Sequence, residues 1–233
     1  MAKTPKKPVP PCPDPERYEW VNRKSGGYWR LKRGSIKPAV LNDSFKQNSS
    51  AFKITSPVAS RIREKLEEFT RGLSTSSLHS RLNGELVKTN NATGAVNFSQ
   101  LKGFEIQEEQ PLDKILLTQY KLQQTDHSIA IQIPVTAGVI KKYSPLVTDF
   151  YFEGILLHGD ILTDGSLLVE YAVSKPYSFT DTVTDDCKLI LPLPAKNEPW
   201  MLLLKVSCLE GNEMAYHPRH YGMRVVEVGF GIA

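Results

Sequence analysis

Hydrophobic positions change their spacing once along the chain. From residue 57 to residue 88 they recur every three or four residues, and beyond residue 94 they alternate. Val58, Ile62, Leu66, Phe69 and Leu73 form one stripe at helical spacing. Ser56 is placed to cap that helix, Pro57 suits its first turn, and Gly72 can end it in a left-handed conformation. A helix is therefore predicted over Pro57–Arg71, with Arg63/Glu67 and Glu67/Arg71 paired at i, i+4 on its wet side. Leu78, Leu82 and Leu86 predict a second over Leu78–Lys88. Lys37-Pro38-Ala39-Val40-Leu41 begins a shorter one, with Leu41 and Phe45 on one face. The stripes are narrow, so these helices need each other or a β layer to lie on.

Asn90-Asn91-Ala92-Thr93-Gly94 marks the change of period. Strands are predicted at Phe104–Ile106, Ile115–Leu122, Ile129–Val135, Thr148–Leu157, Leu167–Val173, Cys187–Leu191, Trp200–Leu209 and Arg224–Phe230. Alternation is cleanest in Ile129-Ala130-Ile131-Gln132-Ile133. Turn signals at Gly159-Asp160, Thr163-Asp164-Gly165-Ser166, Lys175-Pro176 and Glu210-Gly211-Asn212 separate the strands, and a single helical turn fits Pro111–Lys114. The expected fold class is α+β, mainly β. An antiparallel β-sandwich of immunoglobulin-like size over 91–233 follows a Pro-rich basic arm with a hairpin (1–37) and a segment of two or three short helices (38–90).

The arm adds a different chemistry. Six prolines within residues 1–16 favour an extended polyproline-type tail. Its PxxP spacing and lysines have the form of an SH3 ligand, but a stiff solvated arm, or one laid on a neighbouring subunit, explains them without such a partner. Two aromatic runs around Ser25-Gly26-Gly27 predict a short hairpin, and no acidic residue occurs from Trp20 to Asn42. Charge is split to match. Residues 1–90 hold 18 Lys+Arg against 8 Asp+Glu, a net of +10, whereas residues 91–233 hold 11 against 17, a net of −6.

Apolar content of 40% supports a real core. The prolines leave no apolar region of a secretory signal after the basic start, and no apolar run approaches the roughly 18 residues of a membrane span. A soluble cytoplasmic protein without membrane partners is expected, export by a signal-independent route staying open. Cys12, Cys187 and Cys208 are odd in number and lack CxxC spacing, which disfavours a metal cluster or disulfide framework; Cys187 and Cys208 read as buried thiols that can be neighbours.

Candidate binding residues follow from these patterns. Arg23, Lys24, Arg30, Lys32, Arg33 and Lys37 can neutralise phosphates while Trp20, Tyr28 and Trp29 stack on bases; the same set suits an anchoring arm on an acidic protein surface. Asp181, Asp185 and Asp186 are the expected acidic acceptor for such an arm, or else a solvated loop. Glu213, His217 and His220 are a weak metal candidate, because the carboxylate lies outside the histidine pair and Pro218 breaks any helix there. Asp160 with Asp164 lacks the EF-hand ligand order, and His158 with Asp160 is an acid–base pair by adjacency alone. No phosphate-loop or nucleophile-elbow motif occurs, and no cofactor is expected.

The expected function is therefore non-enzymatic: a structural protein that assembles with copies of itself into a ring, tube, filament or particle, its basic arm docking on an acidic sandwich. The alternatives are a nucleic-acid-binding protein using residues 20–37, and a carbohydrate-binding or adhesive sandwich using aromatics such as Tyr151, Tyr171, Tyr177 or Tyr216.

Overall fold

The computed structural model describes residues 9–23, 26–32, 42–93, 96–163, 165–180, 185–195, 197–211 and 213–231. Lys24, Arg33, Lys37, Asp164, Asp181 and the short helix expected from Lys37 lie outside them, and of Arg23 only the backbone is described. The chain divides into two compact units, Met1–Lys46 and Gln47–Ala233, where the sequence pattern suggested boundaries after residues 37 and 90.

In the first unit β1 (Tyr18–Arg23) and β2 (Gly26–Leu31) form the expected antiparallel hairpin, with Trp20 opposite Trp29. The polyproline segment does not simply trail from it. Asp14 turns the chain into β1 by accepting the Glu16 and Tyr18 N–H groups, and the Trp29 indole N–H reaches back to the Pro10 carbonyl at 3.1 Å.

The second unit is mainly β, with helices on one side of its larger sheet. Helix α1 spans Asp43–Lys65, so it begins well before the expected start, and Pro57 lies inside it. An interior proline removes one helical hydrogen bond and costs about 3 kcal/mol. Packing offsets this: Ala51, Thr55, Val58, Ile62 and Leu66 form one buried stripe at helical spacing. Thr55 donates to the Asn83 side chain at 2.6 Å, a buried tie to helix α2 (Leu78–Thr93). A threonine in the stripe hid the first turns from a hydrophobic count. After a 3-10 turn at Glu67–Thr70, Gly72 adopts φ of 84°, the left-handed value foreseen for it. Helix α2 runs through the expected boundary at Asn90.

Helix α3 (Leu112–Ile115) is the single turn expected near Pro111, and it takes the first residue of the strand predicted at Ile115–Leu122. Only β3 (Lys121–Gln124) survives of that strand, joined by β4 (Ser128–Val135). The strands β5 (Asp149–His158), β6 (Leu168–Val173), β7 (Tyr177–Ser178), β8 (Asp185–Pro192), β9 (Pro199–Glu210), β10 (Glu213–Met214) and β11 (Tyr221–Phe230) complete the order. All pairings are antiparallel. One sheet has the path β10-β9-β5-β6, with β11 on β9 and β7 on β5; the other is β3-β4-β8. Phe104–Ile106 is not a strand of either sheet but an isolated bridge of Glu105 to Arg224.

The period-two rule explains how the larger sheet is buried on both faces. Phe150, Phe152 and Leu156 of β5, with Leu202, Leu204 and Val206 of β9, share a core with Ile129, Ile131, Ile133, Leu189 and Leu191 of the smaller sheet. Ile155, Leu157, Met201, Leu203, Met223 and Val225 face the other way, onto Val58, Ile62, Leu66, Leu82 and Leu86. Gly154 sits between these runs, where a Cβ would meet Leu191 at 3.2 Å. Among the described residues, no helix is long and apolar enough to cross a membrane.

Both sheet cysteines are in the first of these cores and are free thiols. Burial pushes the Cys208 thiol up to about 12 and also raises Cys187, against hydrogen bonds from Tyr177 and Ser174. A thiol-reactive dye at about pH 8 should therefore label the native protein at Cys12 alone, and label all three after unfolding. Rapid native labelling of a second thiol would contradict this burial.

Candidate functional site

Of the expected phosphate- or partner-binding residues, Trp20, Tyr28, Trp29 and Arg30 lie on the hairpin and Lys32 directly follows it, and several are already engaged within that unit. The Trp20 and Trp29 rings meet edge to face with centroids 5.2 Å apart. Gly27 faces the Trp20 ring so closely that a Cβ there would overlap it. Arg30 places two guanidinium nitrogens on one Glu19 oxygen, at 2.7 and 2.6 Å. Lys32 donates to the Pro15 carbonyl at 2.8 Å, and Arg17 lies 3.6 Å from Asp14. The hairpin is thus braced by its own cations and by the proline segment. Tyr28 and Leu31 stay exposed, at 40% and 44%.

Of the expected acidic acceptor, Asp185 and Asp186 are described and Asp181 is not. Asp185 is held by Lys175 at 2.7 Å; that hydrogen bond is the main reason its carboxyl lies below the usual range. Asp186 is exposed and donates its N–H to Asp185. A more continuous carboxylate group, of which the sequence pattern singles out only Glu67 as a helix-face ion-pair partner, lies elsewhere. Glu64, Glu67 and Glu68, with Lys65 and Arg71, line an open groove of about 770 Å³ beside Leu168 and Val169 of β6. Glu170 is exposed on the same strand. Only the fold brings the end of α1 against a strand a hundred positions later.

The metal candidates are used for structure. The His217 Nδ1 atom accepts the Arg219 N–H, capping the 3-10 turn Pro218–His220. His220 is buried, its Nδ1 has no hydrogen-bond partner, and desolvation lowers its pKa. Among the described residues, no group of three or more His, Cys, Asp or Glu is arranged to hold a metal ion. Asp160 closes its own turn, accepting the Leu162 N–H at 2.9 Å and the Thr163 hydroxyl; these bonds lower its pKa. His158 pairs instead with Glu198, Nδ1 to Oε1 at 2.9 Å, so the acid–base pair read from adjacency is not formed. The exposed aromatics do not make one platform: Tyr177 is buried against Phe150, whereas Tyr216 is 96% exposed.

Two ionic clusters in the body were not visible in the sequence. Lys205 and Glu153, directly opposite on β9 and β5, form a buried pair at 2.6 Å, and Ser207 donates to the same carboxylate at 3.1 Å. Arg224 forks onto Asp113 at 2.8 and 2.6 Å and also binds Glu105, whose carboxylate accepts the Leu112 N–H. A further cavity of about 310 Å³ lies between residues 135–140 and 175–179, with Phe150, Tyr177 and Phe179 in its walls and Lys175 and Asp185 among its lining. Within the clusters the Ser207 hydroxyl rests on the Glu153 carboxylate, and both side chains are buried. The N-terminal unit presents a braced cationic hairpin, and among the described residues β6 of the body pairs with β5 alone. No family model, no curated protein and no solved structure matches the chain.

Proposed function

We propose that this chain is a structural protein that assembles with copies of itself, the N-terminal unit of one copy docking on the body of the next. The body is read as a two-sheet antiparallel sandwich with helices on its outer face. The observation that carries the reading is that charge changes sign where the fold divides. Residues 1–46 hold 11 Lys+Arg against 4 Asp+Glu, a net of +7, and residues 47–233 hold 18 against 21, a net of −3. Opposite patches steer encounter and set register between copies. A head-to-tail contact of this kind yields a ring if its rotation closes and a filament if it does not.

Light scattering after size exclusion tests it. The full chain should associate at low salt, and a chain beginning at Lys37 should run as a monomer. Raising salt from about 0.05 to about 0.5 M should weaken association, because screening shortens the reach of surface charges. A full chain that stays monomeric at high concentration and low salt removes the proposal. A second reading, single-stranded nucleic acid on the hairpin, is favoured by exposed Tyr28 in a segment without acidic residues. It predicts oligonucleotide binding that falls steeply with salt and is lost on replacing Arg30, Lys32 and Arg33 together by Ala.

A further inference from the structure

The larger sheet ends differently on its two sides. Beyond β11 the edge is covered: the Gly103 N–H donates to the Val225 carbonyl at 2.8 Å, and the Ile106 N–H to the Met223 carbonyl at 2.9 Å. Beyond β6 it is open, since among the described residues β6 pairs with β5 alone. The Ser174 N–H donates to the Phe152 carbonyl at 2.9 Å, which sets the phase of that ladder. Hydrogen-bonded pairs alternate along an antiparallel ladder, so residues 168, 170 and 172 bond to β5. Val169, Tyr171 and Val173 turn their backbone N–H and C=O groups outward.

Natural edges are guarded by lysine, proline, bulges or shortness. Strand β3 is short, with exposed Lys121, and β8 presents Asp186 and Lys188. Strand β6 carries one exposed charge, Glu170, and none of the other guards: six residues in unbroken register, no proline or lysine, and Leu168, Tyr171 and Val173 exposed at 52%, 61% and 50%. We propose that this edge is a strand-docking site and that its occupant is the β1–β2 hairpin of a second copy, adding to the sheet as a further strand. The proposal rests on the self-assembly reading and names its acceptor.

Length and charge favour that occupant. Each hairpin strand has six residues, as β6 does, and among the described residues β1 and β2 pair as strands with each other alone. Exposed Tyr28 and Leu31 supply apolar contact for the β6 side chains. Carboxylates outnumber cations on both sides of the edge, with Glu170 on one and Glu64, Glu67 and Glu68 against Lys65 and Arg71 in the groove on the other. Pairing β6 with β6 of another copy would bring these like charges together, whereas the N-terminal unit arrives with a net of +7.

The test places a photo-crosslinking benzoylphenylalanine at position 171 in the full chain, mixed with isotope-labelled wild-type copies. Cross-links should join position 171 of one copy to residues 18–31 of the other. Tyr171→Lys, which guards the edge without touching the ladder to β5, should lower the association constant at least about tenfold. Tyr171→Pro removes an outward N–H and should abolish association. Tyr216→Lys, at a 96% exposed site on another loop, should leave it unchanged. If the full chain associates but Tyr171→Lys does so as strongly, or position 171 cross-links to its own equivalent or elsewhere, this acceptor is wrong while self-assembly stands. If the full chain is a monomer, both fall.

Discussion

Lys205→Met should lower the stability of the body by about 3–5 kcal/mol, which is a fall of about 6–20 °C in melting temperature for a domain of this size. The cause is the charge left behind. Lys205 and Glu153 are 2% and 8% exposed and their charged atoms are 2.6 Å apart. Met fills nearly the same volume as Lys but leaves the Glu153 carboxylate with only the Ser207 hydroxyl. A buried carboxylate without its counter-ion is far more costly than the pair was favourable. The double variant Lys205→Met, Glu153→Met should recover most of the loss, since apolar side chains of similar size replace such pairs at little cost. Chemical denaturation of the two variants measures this directly. A single variant within about 1 kcal/mol of wild type would mean that water reaches the pair in solution.

Arg224→Met should cost about 2–3 kcal/mol near neutral pH, with a pH dependence that identifies the cause. Arg224 is the shared partner of Glu105 and Asp113, and the three join β11 to the segment that covers its edge. Asp113 is 73% exposed in its side chain, so its bond contributes little. Glu105 is different: desolvation raises its pKa, and the Leu112 N–H and Arg224 partly oppose that rise. A carboxyl with a raised native pKa favours folding fully below its unfolded value. That contribution is lost as pH rises through the native pKa. Removing Arg224 raises the native pKa further, so the loss at pH 7 grows. The gap between wild type and variant should therefore be largest at neutral pH and shrink at acid pH, as Glu105 takes up its proton above the usual carboxylate range. Denaturation curves at both pH values decide it; a gap independent of pH would place the effect in packing.

The hairpin and most strands of the body were legible because each declares itself locally. Tyr18–Arg23 and Gly26–Leu31 carry the two aromatic runs on either side of the Ser-Gly-Gly signal, and Ile129–Ile133 alternates cleanly. Strand β9 was legible as a continuous apolar run, and the two cores on its faces explain why it does not alternate. The start of α1 was not legible, because its stripe passes through Thr55 and its proline stands where a first turn usually does. The strand expected from Ile115 shortened because Leu112 and Ile115 are drawn into the core as one helical turn.

Sequence alone determined the mainly β class, the hairpin and the opposite charge of the two parts, since period, turn residues and composition act over a few neighbouring positions. Tertiary structure decided which groups meet. It paired Lys205 with Glu153 and Arg224 with Glu105, tied Asp185 to Lys175, and, among the described residues, left β6 paired with β5 alone. Those outcomes depend on strand order and register, which bring Glu105 and Arg224 together from 119 positions apart. A one-residue slip turns every side chain to the opposite face, and no local pattern encodes that choice across such distances.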